Sequence, residues 1–179
     1  MNGAATGHAT APPRSDASKL ALFGVTVSAV LVLDIVTKLI VQRTLTPYVP
    51  VPVLGDFFRL TYIFNPGAAF GLHLGEYSRW IFLLLSLVAT VVLFAMYRTT
   101  PAHDRLRLFA IALVTAGAIG NLIDRIRSPR GVIDFLDFDL GFARWPVFNV
   151  ADIGVSVGAL LLAFSLWRED TPASADGDG

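Results

Sequence analysis

Four apolar runs, each long enough to cross a bilayer, constrain this chain more than any other property. Leu20 to Leu33 is uninterrupted, and the pattern resumes past Asp34 to Val41, a span of 22 residues. Trp80 to Tyr97 holds no charged side chain in 18 residues. Leu108 to Gly120 is apolar or small and continues as a helix towards Arg125, while Ile153 to Trp167 extends backwards towards Phe148. A hydrocarbon core needs about 20 mostly apolar residues per helix, so all four qualify once their polar ends are included. Four such runs in 179 residues do not suit a compact soluble domain. Charged residues make up only 16% of the chain, against about 25% in average soluble domains. The expected fold is an all-α polytopic membrane protein with four transmembrane helices, over residues 20–41, 80–97, 106–125 and 150–167.

The flanks read differently. Residues 1–18 are rich in Ala, Pro, Gly and polar residues, and residues 169–179 are acidic and small. Neither stretch offers enough apolar surface to fold, so both are expected to be disordered tails around a membrane domain at 19–168. Arg14 and Lys19 before the first run suggest a signal peptide, but no A-x-A-like site follows and the apolar pattern continues, which favours a retained helix. The connection from Gln42 to Arg79 is too long for a turn. Its run VPVLGDFFRLTYIF, punctuated by Pro47, Pro50, Pro52 and Gly55, has the β-branched and aromatic content of short strands, so a small sheet at the membrane surface is expected between helices 1 and 2. Between helices 3 and 4, VIDFLDFDLGFARWP suits an interfacial segment anchored by Trp145.

Four antiparallel spans gather the ends of helices 1 and 3 and the starts of helices 2 and 4 on one side. Asp34, Lys38, Asn121, Asp124, Arg125, Asn149 and Asp152 all lie there, with both long loops. Orientation is not settled by counting Lys and Arg, six on the tail side against eight on the other, although the Arg98, Arg105, Arg107 cluster favours cytoplasmic tails. With 14 basic and 14 acidic residues the chain has no net charge, which gives no reason to expect a nucleic-acid partner. Cysteine is absent and the three histidines, His8, His73 and His103, are far apart, so thiolate chemistry and a His-based zinc site are not expected.

Asp34 and Lys38, at i and i+4, share a helix face and can pair. A structural ion pair explains them, yet ionisable residues within spans are also functional candidates, each costing roughly 2.5–3.5 kcal/mol at mid-bilayer. Asn121 and Asp124 share a face at the end of helix 3, with Arg125 beside them, which suits a structural clamp. Asp152, at the start of helix 4, reads on its own as a helix-capping aspartate. Asp134 changes that weighing, because it lies among Val132, Ile133 and Phe135 in the loop that must return to the same face. Two carboxylates in a poorly solvated site share a proton, so that one can act as general base and the other as general acid. Asp137 and Asp139 are alternative partners but read as solvated loop acids.

Gly154 to Gly158 matches G-x-S-x-G, but inside an apolar helix it lacks the strand-to-helix turn a serine nucleophile needs. Gly154 and Gly158, with Ala112, Ala116 and Gly120 on helix 3, are better explained as close packing between helices 3 and 4. An ion carrier would need polar residues through the midplane, where helices 2 and 4 offer only Ser86, Thr90, Ser156 and Ser165. A non-catalytic adaptor would need neither Asp134 nor Asp152.

From Leu20 to about Trp167 the chain resembles the bacterial lipoprotein signal peptidases, signal peptidase II. The resemblance rests on D-x-x-T-K (Asp34, Thr37, Lys38), N-x-G-A-A-F-G (Asn65 to Gly71), G-N-x-x-D-R (Gly120 to Arg125), V-x-D-F (Val132 to Phe135) and F-N-x-A-D (Phe148 to Asp152). Each motif alone is weak, but five in order on a four-span chain are specific. The resemblance implies an intramembrane aspartyl endopeptidase that cleaves diacylglyceryl-modified prolipoproteins before the lipidated Cys, needs no metal or other cofactor, and is inhibited by globomycin. It implies a catalytic pair at Asp134 and Asp152, with Asp34, Lys38, Asn65, Gly120, Asn121, Asp124, Arg125, Asn149 and Ala151 shaping the site. It further implies a multi-pass protein of the bacterial cytoplasmic (inner) membrane, with cytoplasmic termini and a small extracytoplasmic sheet. A monomer working among membrane lipids on prolipoprotein signal peptides is expected. The segment RIRSPRG lengthens the link between Arg125 and Val132 relative to the family pattern.

Overall fold

The computed structural model describes residues 16–69, 72–73 and 77–170. Its helices are α1 (Asp16–Thr44), α2 (Ser78–Thr99), α3 (Arg105–Arg127) and α4 (Val150–Asp170), all four long and apolar enough to cross a membrane. Each reaches a few residues beyond its expected bounds. Residues 16–18 and 169–170 are helical, and the rest of the expected tails lies outside the described residues.

Local chemistry sets the helix ends. Thr100 and Ser128, the residues after α2 and α3, are extended (ψ 127° and 124°). Each precedes a proline, Pro101 or Pro129, whose ring disfavours helical geometry in the residue before it. Asp104 starts α3 by accepting the Arg107 backbone N–H at 3.0 Å. Asn149 and Asp152 start α4 reciprocally: Asn149 Oδ1 accepts from the Asp152 N–H at 3.0 Å, and Asp152 Oδ2 accepts from the Asn149 N–H at 3.1 Å. Asn149 is therefore the cap and Asp152 closes the capping box, a refinement of the expectation that Asp152 itself caps the helix.

The third helix is the hub of the bundle and packs against the other three. Its buried side is lined by small residues, among them Ala110, Ala112, Ala116, Gly117 and Gly120. At Gly117 a Cβ would stand 2.2 Å from the Ala151 carbonyl oxygen, and at Gly158 one would stand 2.8 Å from that of Ala110. Backbones this close need glycine at the crossing, as in membrane helix pairs driven by packing rather than hydrophobic exclusion. The outer faces of α1, α2 and α4 stay apolar and exposed, with Val32, Val91 and Leu160 at 59%, 62% and 72%. Such faces belong in lipid.

At one end of the bundle lies an antiparallel sheet of β1 (Pro50–Leu54), β2 (Phe58–Asn65) and β5 (Val132–Phe138), in the order β1-β2-β5. Two short strands, β3 (Ala68–Ala69) and β4 (Leu72–His73), pair beside it. The first two strands of the sheet come from the connection between α1 and α2, as expected. The third comes from the link between α3 and α4, so VIDFLDF is a strand rather than a segment lying along the interface; its first four residues are all buried, and buried and half-buried positions alternate only from Phe135 to Phe138. A core of Val41, Tyr62, Ile133 and Phe135 fixes the sheet to α1, with Val150 of α4 packed against it. Pro50 and Pro52 sit on the edge strand, where the lost N–H groups interrupt no central ladder.

Candidate active site

The sheet and the helix ends bring the expected residues together. Asp134 is 1% exposed in β5. Its Oδ2 accepts from Asn65 Nδ2 at 2.9 Å and its Oδ1 from Asn149 Nδ2 at 2.7 Å. Asn65 ends β2, and its approach depends on Gly131. That glycine has φ +99°, and a Cβ there would lie 2.1 Å from the Asn65 carbonyl oxygen. The turn through RIRSPRG is thereby explained: it delivers a glycine where β5 begins against β2.

Asp152 enters from α4. Its Oδ1 accepts from Asn121 Nδ2 at 2.8 Å, while Oδ2 serves the helix start. Asn149, fully buried, also donates to Asn121 Oδ1 at 3.1 Å. One asparagine thus ties both carboxylates and α3 into a single network. Burial, and beyond it the nearby Asp152 charge, raises the Asp134 carboxyl to about 7, against the lowering effect of the hydrogen bonds from Asn65 and Asn149. At neutral pH Asp134 is therefore divided between its two forms, which is the condition for a carboxyl that must both hold and release a proton.

Behind this pair stands a charged layer. Lys38 Nζ lies 2.8 Å from Asp34 Oδ2 and 2.8 Å from Asp124 Oδ2, and donates to Asn121 Oδ1 at 3.4 Å. Asp34 Oδ1 accepts the Ala151 N–H at 3.0 Å. Gly120 makes room for it, because a Cβ there would stand 2.7 Å from Asp34 Oδ2. The clamp expected at Asp124 is made with Lys38 rather than with Arg125 beside it, and Asp124 also accepts the Ile133 N–H at 3.3 Å. Arg125, one residue on, points to another helix face. It donates to the Asn121 carbonyl at 3.3 Å and stands over the Phe82 ring of α2 at 5.6 Å.

Asp137 is a second correction. It is fully buried, not solvated. Thr61 donates to it at 2.6 Å, the Arg144 guanidinium grips it with two donors, and Arg59 lies 3.5 Å away. The hydrogen bonds from Arg144 hold Asp137 below the usual carboxylate range in spite of its burial. Its place two residues after Phe135 was the available signal, since in a strand that puts Asp137 on the same buried face as Phe135 rather than in a loop. Asp139 is half-buried and lies 3.5 Å from Arg59. Among the described residues, no three His, Asp or Glu side chains are grouped to hold a metal ion.

Four helices fit to span a membrane, three of them with lipid-facing outer faces around α3, and buried carboxylates converging at one end under a small sheet define a polytopic membrane enzyme. Two bacterial membrane enzymes solved by the in meso method share the architecture. One has TM-score 0.78 at 25% identity, covering 89% of this chain and 96% of that one. The other has TM-score 0.74 at 28% identity, covering 85% and 96%. The chain belongs to the signal peptidase (SPase) II family, whose model matches residues 26–168, and is accordingly a peptidase. It is 45% identical over 147 residues to the lipoprotein signal peptidase of Desulforapulum autotrophicum, covering 80% of this chain and 90% of the relative. It is 40% identical over 156 residues to that of Geobacter metallireducens, covering 87% and 96%.

Proposed function

We propose that the chain is an aspartyl endopeptidase that removes signal peptides from diacylglyceryl-modified prolipoproteins, on the N-terminal side of the lipidated Cys, with Asp134 and Asp152 activating the water. The observation that carries this reading is the buried Asp134 carboxyl, poised near neutrality and tied through Asn149 to Asp152. In the ionised form, one member of the pair takes a proton from water as the water oxygen attacks the scissile carbonyl carbon. The protonated partner gives its proton to the carbonyl oxygen. The member protonated by water then gives that proton to the amide nitrogen as the C–N bond breaks, while the other takes back a proton from a hydroxyl of the tetrahedral intermediate as the new carboxyl forms. One proton remains on the pair, as at the start, so no nucleophile or metal is consumed.

The other residues have positioning roles in this reading. Asn65, Asn121 and Asn149 fix the carboxylates by donation. Lys38, Asp34 and Asp124 brace α1 against α3 and α4, and Gly120 and Ala151 allow the approach. Arg125 borders the pair on the α2 side. The substrate's signal peptide enters from the bilayer across α3 and α4. The protein works as a monomer in the bacterial inner membrane with both termini cytoplasmic. Arg98, Arg105 and Arg107 favour that orientation. At the opposite end, Lys38, Arg59 and Arg144 are each paired with carboxylates and are weakened as topology signals.

The test is incubation of the purified full-length protein with a diacylglyceryl-modified precursor and with its unlipidated twin. Cleavage of the first alone, blocked by globomycin, is expected. Equal cleavage of both, or of neither, overturns the substrate assignment.

A further inference from the structure

We propose that the cavity between the C-terminal ends of α1 and α3 binds the phosphate-bearing headgroup of an anionic phospholipid. The cavity measures about 380 Å³, within the range of small-ligand sites. Lys38 and Asp124 line it and Asp134 and Asp152 do not, so it is distinct from the candidate acid pair and does not depend on the peptidase reading.

Its walls have two characters. Ile35 and Leu39, one turn apart on α1, and Ile123 on α3 give an apolar face that continues the lipid-facing surface of the bundle. Arg127 and Arg130 stand where α3 leaves the membrane. The inner wall offers no spare cation, since Lys38 is shared between Asp34 and Asp124 at 2.8 Å each, which leaves Arg127 and Arg130 to meet an anion.

Arg127 and Arg130 line the cavity, whereas Arg43, the other exposed arginine at the end of α1, does not. Lys38, Arg59 and Arg144 are held by carboxylates, and Arg79 donates to the Arg125 carbonyl at 2.8 Å. Among the described residues, no hydrogen-bond acceptor or carboxylate meets the guanidinium of Arg127 or Arg130. Arg130 is instead stacked on the Phe64 ring at 3.9 Å, and Ser128 Oγ accepts its backbone N–H at 3.1 Å. Its plane is thus oriented beside the cavity before anything binds. A phosphate diester seated between two guanidiniums supplies the acceptors they lack. The apolar wall below gives an acyl chain a surface to follow, which a free phosphate ion would leave unused.

The experiment is native mass spectrometry of the full chain in detergent, titrated separately with dioleoylphosphatidylglycerol, dioleoylphosphatidylcholine and inorganic phosphate. Phosphatidylglycerol is expected to be retained more tightly than either other probe. Arg127→Gln and Arg130→Gln should each weaken it about fivefold, and the pair about thirtyfold, as basic residues at an anionic membrane surface do. Arg43→Gln, an exposed cation outside the cavity, should leave it unchanged. Arg127 and Arg130 are exposed, so the variants keep the fold, which an unchanged Tm verifies. Equal retention of the two lipids overturns the proposal. So does a double variant that binds like the parent, an Arg43→Gln effect as large as theirs, or phosphate held as tightly as phosphatidylglycerol.

Discussion

The Asp34 carboxylate of α1 accepts the backbone N–H of Ala151 at the start of α4, at 3.0 Å and across 117 residues of chain. The first and last spans are therefore joined by a charge-assisted bond beside the Asp152 capping box. With Lys38 bridging Asp34 and Asp124, three helix ends are held in one layer beneath the candidate acid pair.

Substituting either acid should remove catalysis and leave the fold. Asp134→Asn and Asp152→Asn are each expected to lower cleavage of a lipidated precursor by at least about a thousandfold, within the range that general acid–base groups contribute. Size-exclusion profiles and Tm in detergent should show a folded protein. Cleavage within about tenfold of the parent in either variant would contradict the proposed pair.

Proton linkage gives a second expectation. The Asp134 carboxyl is raised in the folded state, from 3.8 to about 7. Its protonated form therefore supports folding fully below the unfolded value, and that support is lost as pH rises through 7. Asp134→Asn, neutral at every pH, should gain Tm relative to the parent between pH 5 and pH 8. Activity should fall on the alkaline side, with an apparent value belonging to the coupled pair. A Tm difference that shrinks from pH 5 to pH 8 would reverse the assignment.

Removing Lys38 leaves Asp34 and Asp124 facing each other without their shared cation. Lys38→Met should cost about 3–5 kcal/mol, the usual penalty for breaking a buried pair by deleting one partner. Thermal unfolding in detergent reads the loss. A change within about 1 kcal/mol would mean that water reaches the layer.

The helix crossing makes a prediction in which two effects oppose. Glycine to alanine inside a helix ordinarily gains about 1 kcal/mol of propensity. Gly24→Ala has nothing within 4 Å of the new Cβ and should follow that rule. Gly117→Ala meets the Ala151 carbonyl oxygen at 2.2 Å, so α3 and α4 must separate. It should destabilise by about 1–3 kcal/mol and also lower activity, because Asn121 and Asp152 move apart.

The four spans were legible because length and apolarity alone decide whether a helix can cross a bilayer. The Asp34–Lys38 pair was legible because helical spacing brings i and i+4 together. The pairing of Asp124 was not, since the nearest cation in sequence, Arg125, lies on another face, and only the α1–α3 crossing brings Lys38 within reach. Asp137 was misjudged for a similar reason. Its partners Thr61 and Arg59 arrive through the β2–β5 register, which pairs Arg59 with Asp137 and is set by tertiary contact. The gathering of Asn65, Asn121 and Asn149 around the acids likewise depends on three separate elements meeting.

Since α4 and the cap that precedes it supply Asp152 and Asn149, the candidate site is assembled only when the fourth of the described spans arrives. A nascent chain with three spans in the membrane carries Asp134 without the asparagine that grips it or the carboxylate that opposes it. Under the proposed mechanism a chain that has not yet made α4 holds an incomplete acid pair and is inactive during that stage of its insertion.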